Sequence, residues 1–185
     1  MMKIDTTFGH WVRVAPFTDY KFKHYTRPAF VADVATPENL DELTMGQLIK
    51  LSTLADTNES FFEVCAIVLD LQHKQVEQAR AVDVVRFVGW VAGEAEKINK
   101  LFNKTETKPT KEEEQAGIKK LRFGLFGMLD WYAKRMGIQN HDDVLDVPWR
   151  RVWRCLDMDN KTNMFQRRLQ EVFNNEYRRK NQTRR

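Results

Sequence analysis

Between Ala81 and Phe102 the residues Val84, Phe87, Val88, Val91, Ala95, Ile98 and Phe102 recur at three- and four-residue steps. An α-helix turns about every 3.6 residues, so this spacing gathers them on one face and predicts a long amphipathic helix. The same period organises the chain from Leu40 onward. Thr44 followed by Gln47 fits a capping box, with Leu48, Leu51 and Leu54 behind it. Asn58 is placed to cap a segment in which Phe61, Cys65, Val68 and Leu69 form one stripe, and a weaker segment, Lys74 to Arg80, leads into the long helix. Gly89 and Gly93, one turn apart, suggest close helix packing.

Beyond the polar stretch Asn103 to Pro109, Thr110 and Glu113 make a second capping box. Glu112, Glu113 and Glu114 there suit the positive end of a helix dipole. Ile118, Leu121, Leu125, Met128, Leu129, Tyr132 and Met136 continue as one stripe, ended by Gly137 at a C-cap position. Gly124 and Gly127 cost about 1 kcal/mol each relative to Ala inside a helix, which points to tight contact or a bend. Asp146 is a candidate cap and Pro148 a favoured first-turn residue, ahead of Trp149, Val152, Trp153 and Leu156 on one face. After Asp157 to Asn160 a final helix is expected, carrying Met164, Phe165, Leu169, Val172, Phe173 and Tyr177. No strand pairing is needed after residue 40. The expected fold is mainly α, a helical bundle with an extended aromatic-rich N-terminal arm and a basic C-terminal helix or tail.

That arm covers residues 1–36. Phe8, Trp11, Phe17, Tyr20, Phe22 and Tyr25 crowd there, and Pro16 and Pro28 break any long helix. Trp11 to Val14 and Tyr20-Lys21-Phe22 read as short extended pieces. Two readings stand: an arm folded back on the helical body, or one whose six aromatics dock on another subunit. Residues 37–177 form a single helical domain with a polar hinge near 103–110, and 178–185 a basic tail. At 185 residues and 42% hydrophobic the chain can bury a core without disulfides or a structural metal. Its two cysteines, Cys65 and Cys155, suggest reduced thiols. The N-terminal residues lack the apolar stretch of a signal peptide, and Ala81 to Ala92, with Asp83 and Arg86, is too short to span a bilayer. A soluble, intracellular protein is expected, with no membrane partner.

The residues that carry chemistry are scattered. His10, His24, His73 and His141 lack zinc-ligand spacing, and His141-Asp142-Asp143 reads as a helix start. Asp157, Asp159 and Asn160 lack the glycine and closing glutamate of a calcium loop. No phosphate-cradling glycine motif or nucleophile elbow occurs. Cys65 lies on an apolar stripe, so no catalytic, metal-ligating or cofactor-binding residue is assigned and no enzyme is expected. Charge says more. Residues 149–185 hold 11 Arg or Lys against 4 Asp or Glu, net +7, within a chain of net +4. Arg167, Arg168, Arg178, Arg179, Lys180, Arg184 and Arg185 are therefore candidates for contacting nucleic acid or an acidic partner protein.

Two stretches carry a resemblance. Glu42 to Gln47, ELTMGQ, within Leu40 to Leu54, resembles the "ELTLGQ" opening of small helical morphogenesis proteins of tailed bacteriophages, with Met45 in place of Leu. Apolar segments follow it, Phe61 to Leu71 and Ala81 to Phe102, as they do in that class. Val147-Pro148-Trp149 to Tyr177 is similar to the C-terminal "PW" helix pair of tail assembly chaperones. The resemblance implies a non-enzymatic protein, without cofactors, that contacts tail, portal or tape-measure proteins, in the virion or the host cytoplasm. A chaperone would cover apolar tape-measure segments through an exposed groove. A virion subunit, a homo-oligomer in a ring, would need two complementary faces and touch DNA without sequence preference. A nucleic-acid-binding protein using the basic C-terminal region is the alternative.

Overall fold

The computed structural model describes residues 6–14, 25–55, 57–105, 109–121 and 123–182. Its axis is the long helix expected from the apolar period. In chain order a short helix α1 (Phe8–Val14) precedes a two-stranded hairpin, β1 (Phe30–Val31) and β2 (Val34–Ala35). Then come α2 (Met45–Thr53), α3 (Glu59–Leu69), α4 (His73–Gln78) and the axial α5 (Ala81–Thr105). The second half holds α6 (Lys111–Gln115), α7 (Gly124–Met136) and α8 (Trp149–Gln182), with 3-10 turns at Ile118–Lys120 and His141–Asp146. The fold is mainly α.

One face of α5 supplies Val84, Phe87, Val88 and Val91 to the core, where Phe61 and Cys65 of α3 and Val76 of α4 meet them. Local signals set the ends of the surrounding helices. Thr44 accepts from the Gln47 amide while the Gln47 side chain accepts from the Thr44 amide, closing the box that starts α2. Thr110 and Glu113 repeat the device at α6. Gly137, at φ +69, ends α7 in the left-handed conformation that glycine adopts without steric cost. Asn58 stands before α3 but makes no side-chain cap; its Nδ2 donates to the Val12 carbonyl at 3.4 Å.

Several expectations are corrected. Trp11 to Val14 is helix, not an extended piece, and Phe8 and Trp11 are 0% and 6% exposed. Their rings pack on Phe61, at centroid distances of 5.3 and 5.8 Å, so these two belong to the core and not to a docking arm. Thr7 pairs with Arg80, and the Phe8 amide donates to the Ala79 carbonyl (2.8 Å), which ties this segment to the turn before α5. Tyr25 lies half-buried against Gly89, where a Cβ would collide with its ring. Gly89 thus admits an aromatic ring rather than a second helix. Phe17, Tyr20 and Phe22 lie outside the described residues.

The stripe from Ile118 to Met136 is not one helix. Gly117 at φ +87 ends α6, a 3-10 turn follows, and α7 begins at Gly124 with φ +55. Leu121 and Leu125 are exposed as a result. Nor does Asp157 to Asn160 separate two helices, because α8 runs unbroken for 34 residues, about 50 Å. Its first residue follows Pro148, and Asp146 instead closes the preceding 3-10 turn. Asn103 to Thr105 of the expected hinge form the last residues of α5, and Arg178 to Gln182 of the expected tail the end of α8.

Candidate interaction surface

The root of α8 is held firmly. Trp149 is buried, its indole N–H donating to the Leu40 carbonyl at 2.7 Å. The Trp149 amide donates to the Leu43 carbonyl (3.1 Å) and the Met45 amide to the Val147 carbonyl (2.8 Å), joining the starts of α8 and α2. Val152 is fully buried and Trp153 packs against the core. Arg150 pairs with Asp41 alongside.

Past Leu156 the same face of the helix turns polar. Asn160 donates through Nδ2 to the Thr105 carbonyl at 2.7 Å, where α5 ends. Arg167 donates to Glu113 Oε1 of α6 at 2.8 Å. Meanwhile Met158, Phe165, Leu169, Val172, Phe173 and Tyr177 form a second apolar row. At about 100° per residue its centre lies about 150° around the helix from that of Trp149, Val152, Trp153 and Leu156. The second row therefore points away from the fold that the first row grips. Met158, Phe165, Val172, Phe173 and Tyr177 are between 52% and 69% exposed.

Of the basic candidates, Arg167 is engaged with Glu113, and Arg168 donates to the Met164 carbonyl within its own helix at 3.3 Å. Arg178, Arg179 and Lys180 are exposed near the helix end, and Arg184 and Arg185 lie outside the described residues. Arg168 falls beside the apolar row, and Arg167 and Arg178 on the opposite face of the helix.

Charged groups elsewhere pair locally. Asp130 of α7 accepts from Lys134 (2.7 Å) and lies 3.1 Å from His141 Nε2. The hydrogen bonds from Lys134 and then His141 hold its carboxyl below the ordinary value. Arg135 reaches Asp159 of α8 at 2.5 Å. Burial pushes the Cys65 thiol up to about 12, which makes it a packed, neutral side chain. Among the described residues no group of three or more His, Cys, Asp or Glu is arranged to hold a metal ion, and no helix is long and apolar enough to cross a membrane. A polar cleft of about 790 Å³ beside the hairpin is lined by Arg27, Arg80, Arg86, Asp33 and Asp83. Arg27 there donates to the Thr36 carbonyl (2.7 Å) and Arg80 to Asp83 (2.7 Å).

Sequence reasoning found the apolar residues of α8 but missed that they face outward. The signal was present. The row begun by Trp149 continues as Asn160, Asn163 and Arg167, while the apolar positions shift to another side. The cleft left no comparable trace, because Arg27 comes from a segment far in sequence from Arg80 and Arg86. Comparison with family models, with curated proteins and with solved structures gives no match.

Proposed function

We propose that this chain is a non-enzymatic structural or assembly protein acting through protein–protein contacts in tail or head–tail morphogenesis of a tailed bacteriophage, as a virion component or as a tail assembly chaperone. One observation carries the contact-making part of this reading: the outward apolar row of α8, on a helix whose root is fixed to the body. Apolar area removed from water drives association, and a contiguous exposed patch is the usual mark of a partner site. The phage setting rests on the likeness of Glu42 to Gln47 and of Val147 to Tyr177 to that class.

Quantitative mass spectrometry of purified mature particles tests it. A virion component is expected at stoichiometric amounts. A chaperone is expected to be absent from particles and to bind tape-measure segments in assembling cells. Failure of both overturns the proposal.

The second reading, nucleic-acid contact, is favoured by the exposed Arg178 and Lys180. It expects duplex binding that weakens steeply with salt, with a shallower slope once residues 178–185 are deleted. Binding indifferent to salt would count against it.

A further inference from the structure

Resting on the reading that this chain works through protein contacts, we infer that the outward row of α8 is the seam of an antiparallel homodimer, in which Leu169 of one copy lies against Leu169 of the second. Three features of the helix lead to this arrangement.

The first is area. Met158, Phe165, Val172, Phe173 and Tyr177, each more than half exposed, leave roughly 600 Å² of apolar surface, given about 150–250 Å² for a large side chain. Two copies facing each other then remove about 1,200 Å² from water, the lower edge of what stable interfaces bury. Flanking polar residues add to that figure.

The second is charge polarity. The row starts beside Asp157 and Asp159, which pair within the chain with Lys161 and Arg135, and ends at Arg178, Arg179 and Lys180. A parallel pair would set the two basic ends side by side. An antiparallel pair centred on Leu169 brings each basic end to the acidic end of the second copy. Rim charges of this kind choose orientation more than they add affinity.

The third is the length of the row. It begins at Met158, on the side of α8 turned away from Thr105 and Glu113, and the basic end lies at Lys180. Leu169 stands midway, so an overlap centred there uses the whole row and sets the two bodies toward opposite ends. Phe165 then meets Phe173 of the second copy on both sides of the centre. Asn160 and Arg167, bound to Thr105 and Glu113, hold the opposite side of the helix to its own chain and leave the seam open.

Sedimentation velocity of the full chain over a wide concentration range is the test. Wild type is expected to dimerise. The double variant Phe165→Glu, Phe173→Glu is expected to weaken self-association on the order of 100-fold, by analogy with two central interface anchors. Its circular dichroism and thermal unfolding should keep those of the monomer. Orientation is read by oxidation in a Cys155→Ala background. Leu169→Cys is expected to give a disulfide-linked dimer, whereas Tyr177→Cys, distant from its symmetry mate in an antiparallel seam, is expected to stay reduced.

A wild-type chain that stays monomeric throughout overturns the homodimer, as does a dimer that survives the double variant. Efficient Tyr177→Cys cross-linking overturns the antiparallel order. A monomer whose α8 row instead binds anionic lipid vesicles or duplex DNA overturns the dimer and the protein-contact reading together. A monomer that binds tape-measure segments, with binding lost in the double variant, overturns the dimer alone.

Discussion

The two long helices are built from the same apolar period and end in opposite environments. In α5, nine of 25 residues are buried, Phe87 and Val84 completely. In α8 only Trp149 and Val152 of 34 residues are. The helix α5 lies between α3 and the N-terminal segment, which cover its apolar face. The helix α8 is buried only in its first turns, is tied to α5 and α6 on one side by Asn160 and Arg167, and then outruns the body. Periodicity specifies that a face exists. What covers that face depends on where the neighbouring elements pack, and the described residues leave the outer row of α8 uncovered.

Cutting the same ring from each helix breaks the comparison most sharply. Phe87→Ala opens a cavity in a core that cannot fully collapse, and should cost about 3–5 kcal/mol in urea unfolding. Phe173→Ala, at dilutions where the chain is monomeric, should stay within about 0.5 kcal/mol of wild type. Equal losses at both positions would mean that the α8 row is covered by its own chain.

The root of α8 should behave like α5, not like its own outer length. Trp149→Phe keeps a ring in the core but leaves the buried Leu40 carbonyl without its donor, at a cost of about 1–3 kcal/mol. A smaller effect is expected where the two long helices meet. Asn160→Ala removes the donor to the Thr105 carbonyl and should cost about 1 kcal/mol, since water can partly replace it at this half-buried site. If Asn160→Ala proved costlier than Trp149→Phe, the grip on α8 would lie further along the helix than its buried residues indicate.

Helices with their own local punctuation were legible in the sequence. The two Thr-x-x-Gln/Glu boxes and Gly137 act through the nearest few backbone groups, so spacing alone places them. The hairpin was not legible. Its turn, Ala32-Asp33, has positive φ at both residues, the geometry that Asn-Gly ordinarily announces. The surroundings hold it instead: Arg27 donates to Thr36, and the Thr36 hydroxyl donates to the Pro28 carbonyl. The break between α6 and α7 was half legible. Gly124 and Gly127 were singled out, but that Gly117 and Gly124 are the ones to turn left-handed depends on tertiary placement. The outward row of α8 is the instructive case, since all its residues but Met158 were named and their direction relative to Trp149 and Val152 was overlooked.

The two thiols extend the comparison to chemistry, with the smallest effect on stability at neutral pH. Cys65 sits in the interior packed around α5, and Cys155 is half-buried on α8. Iodoacetamide should label Cys155 in the native protein and reach Cys65 only when the chain opens, as peptide mapping before and after denaturation would reveal. The pH dependence has a definite sign. The Cys65 thiol stands at about 12 in the fold against an ordinary 9.0, so the fold favours its protonated form. Below about pH 9 the thiol is protonated folded or unfolded, and this contribution is intact. As pH rises from there toward 12 the unfolded chain loses the proton first and is stabilised, so the urea midpoint should fall across that window. A Cys65→Ala variant, whatever its starting stability, should lose this part of the alkaline slope, whereas Cys155→Ala should keep it. An unchanged slope in Cys65→Ala would mean that water reaches the thiol in the folded chain and that the interior around α5 is looser than its packing implies.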